Sequence, residues 1–352
     1  MPLSIDLASS LDRICIENYW HCVGHQIEIR THLAYRRVLI ANHDLLIHNH
    51  GGSLFAVVNL CPHRGSRLLL ESTGCAPLRC PYHGWSFQPS GTSIPRFDTF
   101  PSQPDPREAS LKQWHLEQLG GFIFVSLSPV MSLDTQLGEY TCTMLQDIGK
   151  SLGAFHGEQV ITYQSNWKLA VENALEAYHV SSIHTNTLGK LNLTDGINSL
   201  WDWASLWQAT SGNTLVTRLA GRLKKALKQT FEINGYNSLY LFPFAMLSST
   251  EGLSFALQTY FPQFDPMAEM TNVSTRLFTP VVENISMKEA LVAFYDSTAE
   301  MNRRIFEEDA SICSQIPLSS WSCDPLTYSS SLEVKIDHFR SCCRKALESR
   351  QV

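Results

Sequence analysis

Cys61-Pro62-His63-Arg64-Gly65 and Cys80-Pro81-Tyr82-His83-Gly84-Trp85 decide how the first half of this chain folds. Each stretch offers one thiolate and one imidazole on a short arm bounded by Pro and Gly. Two thiolates and two imidazoles are the ligand set of a [2Fe–2S] cluster in which two Cys hold one iron and two His hold the other. Zinc takes the same donors, but Cys-x-His is not zinc-finger spacing. A Cys61–Cys80 disulfide is poorly matched to a chain with no secretory signal. Cys75 competes for the second arm, yet only Cys80 has a His three residues on.

Around the arms the sequence alternates short β-like runs with turns. Arg37–Ile40 and Leu45–His48 flank Asn42-His43-Asp44, Leu54–Val58 follows Gly51-Gly52, and Gly121–Leu127 reads as a buried closing strand. The expectation is a small all-β cluster domain over residues 35–128. Residues 1–34 are expected to form an N-terminal segment packing on a second domain of residues 129–352. In that second part a helix is expected from Trp167 to His179 and a basic amphipathic segment from Leu215 to Gln229. Strands are expected at Ser238–Phe242, Leu253–Phe261 and Thr271–Thr279. Ser286-x-x-Glu289 reads as a capping box opening a long helix. Periodicity alone licenses α+β.

Both arms closely resemble those of the Rieske non-haem iron oxygenases, large (α) subunit. Asn166–His179 with His184 is similar to that family's mononuclear iron helix. The resemblance implies a helix-grip catalytic domain, an antiparallel sheet around long helices. It implies a Rieske cluster on Cys61, His63, Cys80 and His83, and a mononuclear Fe(II) on His179, His184 and a late carboxylate. On a helix Glu172, Glu176 and His179 share a face. His184 reaches the same metal only if the helix ends or bulges at Val180-Ser181-Ser182. For the carboxylate, Asp309 lies four residues after Ile305 and three before Ile312, on the inward stripe of the long helix, with Glu308 as the fallback and Glu307 facing solvent.

The catalytic candidates beside the ligands are Asn173 and Glu176. The resemblance makes Glu176 the bridge that carries electrons from His83 of one subunit to His179 of the next. Ring-hydroxylating members commonly have Asp there, and the spacing from Asn173 is one residue shorter here. Glu variants are familiar among members acting on quaternary ammonium compounds such as choline, carnitine and betaines. The implied reaction uses O2 and electrons from a separate NAD(P)H reductase, with or without a ferredoxin, to hydroxylate or oxidatively demethylate a small organic molecule. Ring dihydroxylation of an aromatic compound is the alternative. No Gly-x-Gly-x-x-Gly fingerprint is present. Trp201, Trp207, Tyr236, Phe242 and Phe255 are the pocket candidates, with Trp203 and Phe244 beside them, either as an aromatic cage for a cationic amine or as core.

A Rieske electron carrier is the competing class, but it needs little more than the cluster domain. A net charge of −6 argues against a nucleic-acid partner. No apolar run reaches transmembrane length. Ten Cys read as reduced thiols plus ligands, an expectation of a cytoplasmic protein. The resemblance also implies a homotrimer, which its cross-subunit electron path needs. Arg218, Arg222, Lys224, Lys225 and Lys228 form a basic run that suits either an acidic redox partner or a solvated face.

Overall fold

A computed structural model describes residues 5–94, 105, 108–228, 233–265 and 268–349; Gln229, the expected end of the basic segment, lies outside them. In the first half, α1 (Ile5–Asn18) precedes β1 (His21–His25), β2 (Ala34–Ile40), β3 (His43–His50), β4 (Ser53–Val58) and β5 (Thr73–Cys75). Then come β6 (Ser86–Phe87), β7 (Ser93–Ile94), β8 (Gln113–Leu119) and β9 (Phe122–Ser126). Seven of these strands make one sheet in the order β1-β9-β8-β4-β3-β2-β5. Every residue of β9 is buried, as its continuous apolar run requires. β6 and β7 form a separate hairpin.

The boundary expected at residues 34 and 35 cuts through this sheet. β1 pairs antiparallel with β9, His21 opposite Val125. α1 packs on the second half alongside the C-terminal helix, and β1 and the Gln26–Ile29 turn touch the second half's sheet.

The second half contains α2 (Leu133–Leu137), α3 (Glu139–Ser151), β10 (Leu152–Tyr163), α4 (Trp167–Leu175) and α5 (Val180–Ile183). β11 (Leu193–Leu200), β12 (Ala204–Ser211), α6 (Thr214–Leu223), β13 (Tyr236–Leu241) and β14 (Ala245–Thr250) follow. β15 (Phe255–Asp265), β16 (Ala268–Pro280), α7 (Lys288–Cys313) and α8 (Val334–Glu348) complete it. The strands make one antiparallel sheet, β10-β16-β15-β14-β13-β12-β11. The α+β helix-grip expectation describes it. Polar and small residues at alternate positions of β13, β14 and β15 face the helices, while Leu239, Leu241, Leu247, Phe255 and Leu257 pack on the other side with α3.

Two helix boundaries differ from the sequence expectation. The helix opened by Trp167 stops at Leu175, not His179; Glu176 is extended, with φ −117° and ψ 158°. The Glu176 carboxylate accepts the N–H groups of Tyr178 and His179, which a continuing helix would give to its own carbonyls. Hence Glu172, Glu176 and His179 do not share a helix face. The second difference is at the long helix. Asn284, not Ser286, caps its entry through a 3-10 turn over Ile285–Met287, and α7 starts at Lys288.

Candidate active site

The two cluster arms have the same backbone. In each, the Cys N–H donates to a carbonyl five residues on, Ser66 at 2.8 Å and Trp85 at 2.7 Å. The Cys carbonyl accepts the N–H of Gly65 at 2.9 Å or Gly84 at 3.0 Å. Both glycines have positive φ, 71° and 73°, which explains their place in both arms. Cys61 and Cys80 are buried and unlinked, so no disulfide joins the arms.

Burial raises the Cys61 thiol to about 11, against the N–H groups of His63 and Arg64. At Cys80 burial acts upward, but the N–H groups of Tyr82 and His83 outweigh it and the thiol is lowered. Backbone donors aimed at both sulfurs suit cluster thiolates. His63 stacks on Trp85 at 5.1 Å with 4° between planes, and its ring lies 4.8 Å from that of His83. Arg64 links the arms by donating to the Tyr82 hydroxyl at 3.2 Å.

The second centre is built by the break after α4. A short turn, α5, carries the chain from His179 to His184, bringing their Nε2 atoms to 3.1 Å. Asp309, buried on α7, places Oδ1 3.0 Å from His184 Nε2 and 3.5 Å from His179 Nε2. The helical-phase reading of residues 307–309 is what the structure shows. Glu307 is exposed and pairs with Arg303, Glu308 is intermediate, and Asp309 points inward.

Among the described residues, these three form the single group of His, Cys or carboxylate side chains whose donor atoms lie within 4.8 Å of one another. Two imidazoles and one carboxylate fit a mononuclear Fe(II) with open positions. Burial disfavours charge on both imidazoles, but Asp309, with Glu176 at His179 and Glu308 at His184, outweighs it: His179 rises to about 9 and His184 is also raised. Burial likewise works against the Asp309 carboxylate, yet the two His lower it.

Each donor is held from behind. Asn173 Nδ2 donates to Asp309 Oδ1 at 2.8 Å. The Glu176 carboxylate meets His179 Nδ1. Glu308 Oε2 lies 2.7 Å from His184 Nδ1 and accepts from the Thr187 hydroxyl at 2.6 Å. Leaving the Nε2 atoms for a metal is what these Nδ1 partners achieve. The fallback carboxylate Glu308 is thus placed behind a His rather than among the donors.

A cavity of about 290 Å³ opens from this triad between the sheet and helices α4, α6 and α7. Trp207 and Tyr236 line it, edge to face at 5.8 Å. The other three pocket candidates do not. Phe255 is on the opposite face of β15, as its odd position beside Ala256 and Gln258 requires. Trp201 stacks on Tyr140 at 4.8 Å. Phe242 packs against Tyr19 and Phe339 in the core, and the neighbouring candidates Trp203 and Phe244 join the same core.

Sequence reading missed Ser238, Ser248, Gln258, Tyr260 and Lys335, all lining the cavity. The available signal was polar residues at period two inside buried strands. Tyr260 is buried, and its hydroxyl has no partner among the described residues. In the basic run, Arg218, Arg222, Lys225 and Lys228 are exposed, but Lys224 is committed to Glu251 at 3.1 Å.

A model of the ring hydroxylating alpha subunit catalytic domain matches residues 151–349, and one of the Rieske [2Fe-2S] domain matches residues 19–104. The anthranilate 1,2-dioxygenase large subunit of Acinetobacter baylyi is 29% identical over 196 residues, 53% of this chain and 42% of that protein. The carnitine monooxygenase oxygenase subunit of Acinetobacter pittii is 26% identical over 266 residues, 72% of this chain and 67% of that one. The chain thus spans about two fifths of the first relative and two thirds of the second. A quaternary ammonium Rieske monooxygenase in complex with L-carnitine has the same fold, with a TM-score of 0.74 at 20% identity, covering 96% of this chain and 91% of that one. Naphthalene 1,2-dioxygenase with indole bound gives 0.71 at 19%, covering 97% and 90%. No helix among the described residues is long and apolar enough to cross a membrane.

Proposed function

Because this chain belongs to the ring hydroxylating alpha subunit family, we propose that it is the oxygenase component of a Rieske system. It uses O2 and electrons from a separate NAD(P)H reductase to hydroxylate or oxidatively demethylate a small organic molecule. The observation that carries this reading is the His179–His184–Asp309 triad lining a cavity, in a chain that also carries the Cys61, His63, Cys80, His83 quartet. When bound, the cluster supplies single electrons and the iron supplies a site for activating O2.

This chain's residues do the rest. Glu308 and Glu176 hold the two imidazoles by Nδ1, so that both Nε2 atoms face the metal. Asn173 keeps Asp309 turned the same way. Trp207, Met246, Leu277 and Phe294 exclude water from the cavity wall. Glu176 is half-buried behind His179, where a neighbouring copy's exposed His83 completes a path between centres in a homotrimer. Exposed Tyr82 beside His83 and exposed Tyr178 beside Glu176 suit that contact. We place the reaction in the cytoplasm, a reducing compartment suited to ten Cys read as free thiols plus two cluster ligands. Glu176 and the Trp207–Tyr236 pair support a quaternary amine; the anthranilate relative supports an aromatic ring.

The test is a peroxide-driven turnover of anaerobically purified protein on a panel of amines and aromatic rings, read by mass spectrometry and formaldehyde release. Formaldehyde or a hydroxylated amine is the expected outcome, and a ring diol favours the aromatic reading. His179→Ala should abolish product while leaving the cluster absorption intact. Unchanged turnover in that variant removes the oxygenase assignment.

A further inference from the structure

The charged side chains lining the cavity are matched, with one exception. His179, His184 and Asp309 answer one another, and Glu176 is taken up by His179 and two backbone N–H groups. Glu251 has Lys224 at 3.1 Å. Lys335, on the first turn of α8, has no carboxylate. It is 1% exposed, and its ammonium donates to the Ser238 carbonyl at 3.0 Å, its one hydrogen-bond partner among the described residues. A carbonyl offers no net charge, and burial alone pushes this amine down to about 7. An aliphatic side chain would fill the same space without that cost.

An ammonium has three donors, so Ser238 leaves two for something else. The wall around Ser238 is equally polar. Ser248 lies opposite it in the strand register and accepts from Gln258 Nε2 at 2.8 Å, and all three residues line the cavity. A buried cation in a polar patch of a largely apolar cavity is a complement for an anion of substrate size.

We infer that Lys335 anchors a carboxylate of the substrate, which makes the substrate a small organic acid oxidised at a carbon held toward the triad. The inference rests on the oxygenase reading for the oxidation but not for the binding. It selects carboxylated members of either substrate class, a betaine or an aromatic acid, over a simple cationic amine or a ring hydrocarbon.

The experiment is calorimetric titration of the holoenzyme without O2 or reductant. The probes are two acid–amide pairs: 4-(trimethylammonio)butanoate with its primary amide, and benzoate with benzamide. At least one acid should bind about tenfold or more tightly than its amide. Lys335→Met should erase that preference, leave the amide's affinity unchanged and raise the melting temperature by removing a buried unpaired charge. Lys335→Gln gives a second neutral variant, and the wild-type comparison needs no variant. Equal binding of acid and amide, no binding by either acid, or equal weakening of both in Lys335→Met overturns the inference. Acid binding without any oxygenation would instead sink the oxygenase reading alone.

Discussion

At the residue scale, the His179–His184–Asp309 triad depends on side chains outside it. Glu308 is one. It holds His184 Nδ1 at 2.7 Å and the Thr187 hydroxyl at 2.6 Å, so Glu308→Ala frees the ring to turn. Removing such a partner typically costs about 10–100-fold in metal affinity. The expected outcome for Glu308→Ala is iron loss at chelator concentrations that the parent withstands, with the cluster spectrum unchanged. Iron retention equal to the parent's would show that Thr187 and packing suffice. Helical phase separated residues 307, 308 and 309 correctly in the sequence, because α7 is long and regular enough for 100° per residue to hold. It failed for Glu172, Glu176 and His179, because Glu176 ends its own helix by capturing two N–H groups.

At the element scale, the two arms are one loop used twice, and α4 is a platform clamped from below. Gly84 closes its arm at φ 73°, where a Cβ strains the backbone. Gly84→Ala should lower cluster occupancy, measured by the visible absorption per chain, while iron at the triad stays. Under α4, Glu172 takes Arg340 through both carboxylate oxygens at 2.7 and 3.0 Å and the Trp321 indole N–H at 2.7 Å. This joins α4 to α8 and sets the height of Asn173 and the break that follows. The pocket was less legible than the metal ligands. Ligand residues announce themselves by type and spacing, but a wall residue is chosen by strand parity. Trp207 and Tyr236 face inward, while Phe255 and Trp201, equally aromatic, face elsewhere.

At the scale of the whole molecule, the two sheets are joined by charges. Arg36 on β2 meets Glu28 at 2.9 Å and Glu158 of β10 at 2.5 Å. Arg276 of β16 meets Glu158 at 3.0 Å and reaches the Val23 carbonyl on β1. Burial acts to raise the Glu158 carboxylate, but the two guanidiniums outweigh it and lower its pKa. Removing one partner from such a network leaves uncompensated charge. Glu158→Ala should destabilise the protein by about 3 kcal/mol, the lower end of the range because Glu158 is partly exposed. Denaturant unfolding at fixed metal content measures it, and a loss under about 1 kcal/mol would make the network incidental. The reach of β1 into the first sheet belongs to this scale too. A five-residue strand paired with β9 about a hundred positions later leaves no local signal for a boundary.

The residue types and spacings of Cys61, His63, Cys80, His83, His179 and His184 were enough to mark two candidate metal centres, because donor chemistry admits few side chains and short arms leave few arrangements. Helical phase added Asp309. Tertiary structure alone decided which carboxylate holds which imidazole, which aromatics reach the cavity, and that Lys335 enters it from a helix at the far end of the chain. Those placements come from elements distant in sequence packing onto one face of one sheet, and no local period or motif encodes such a meeting.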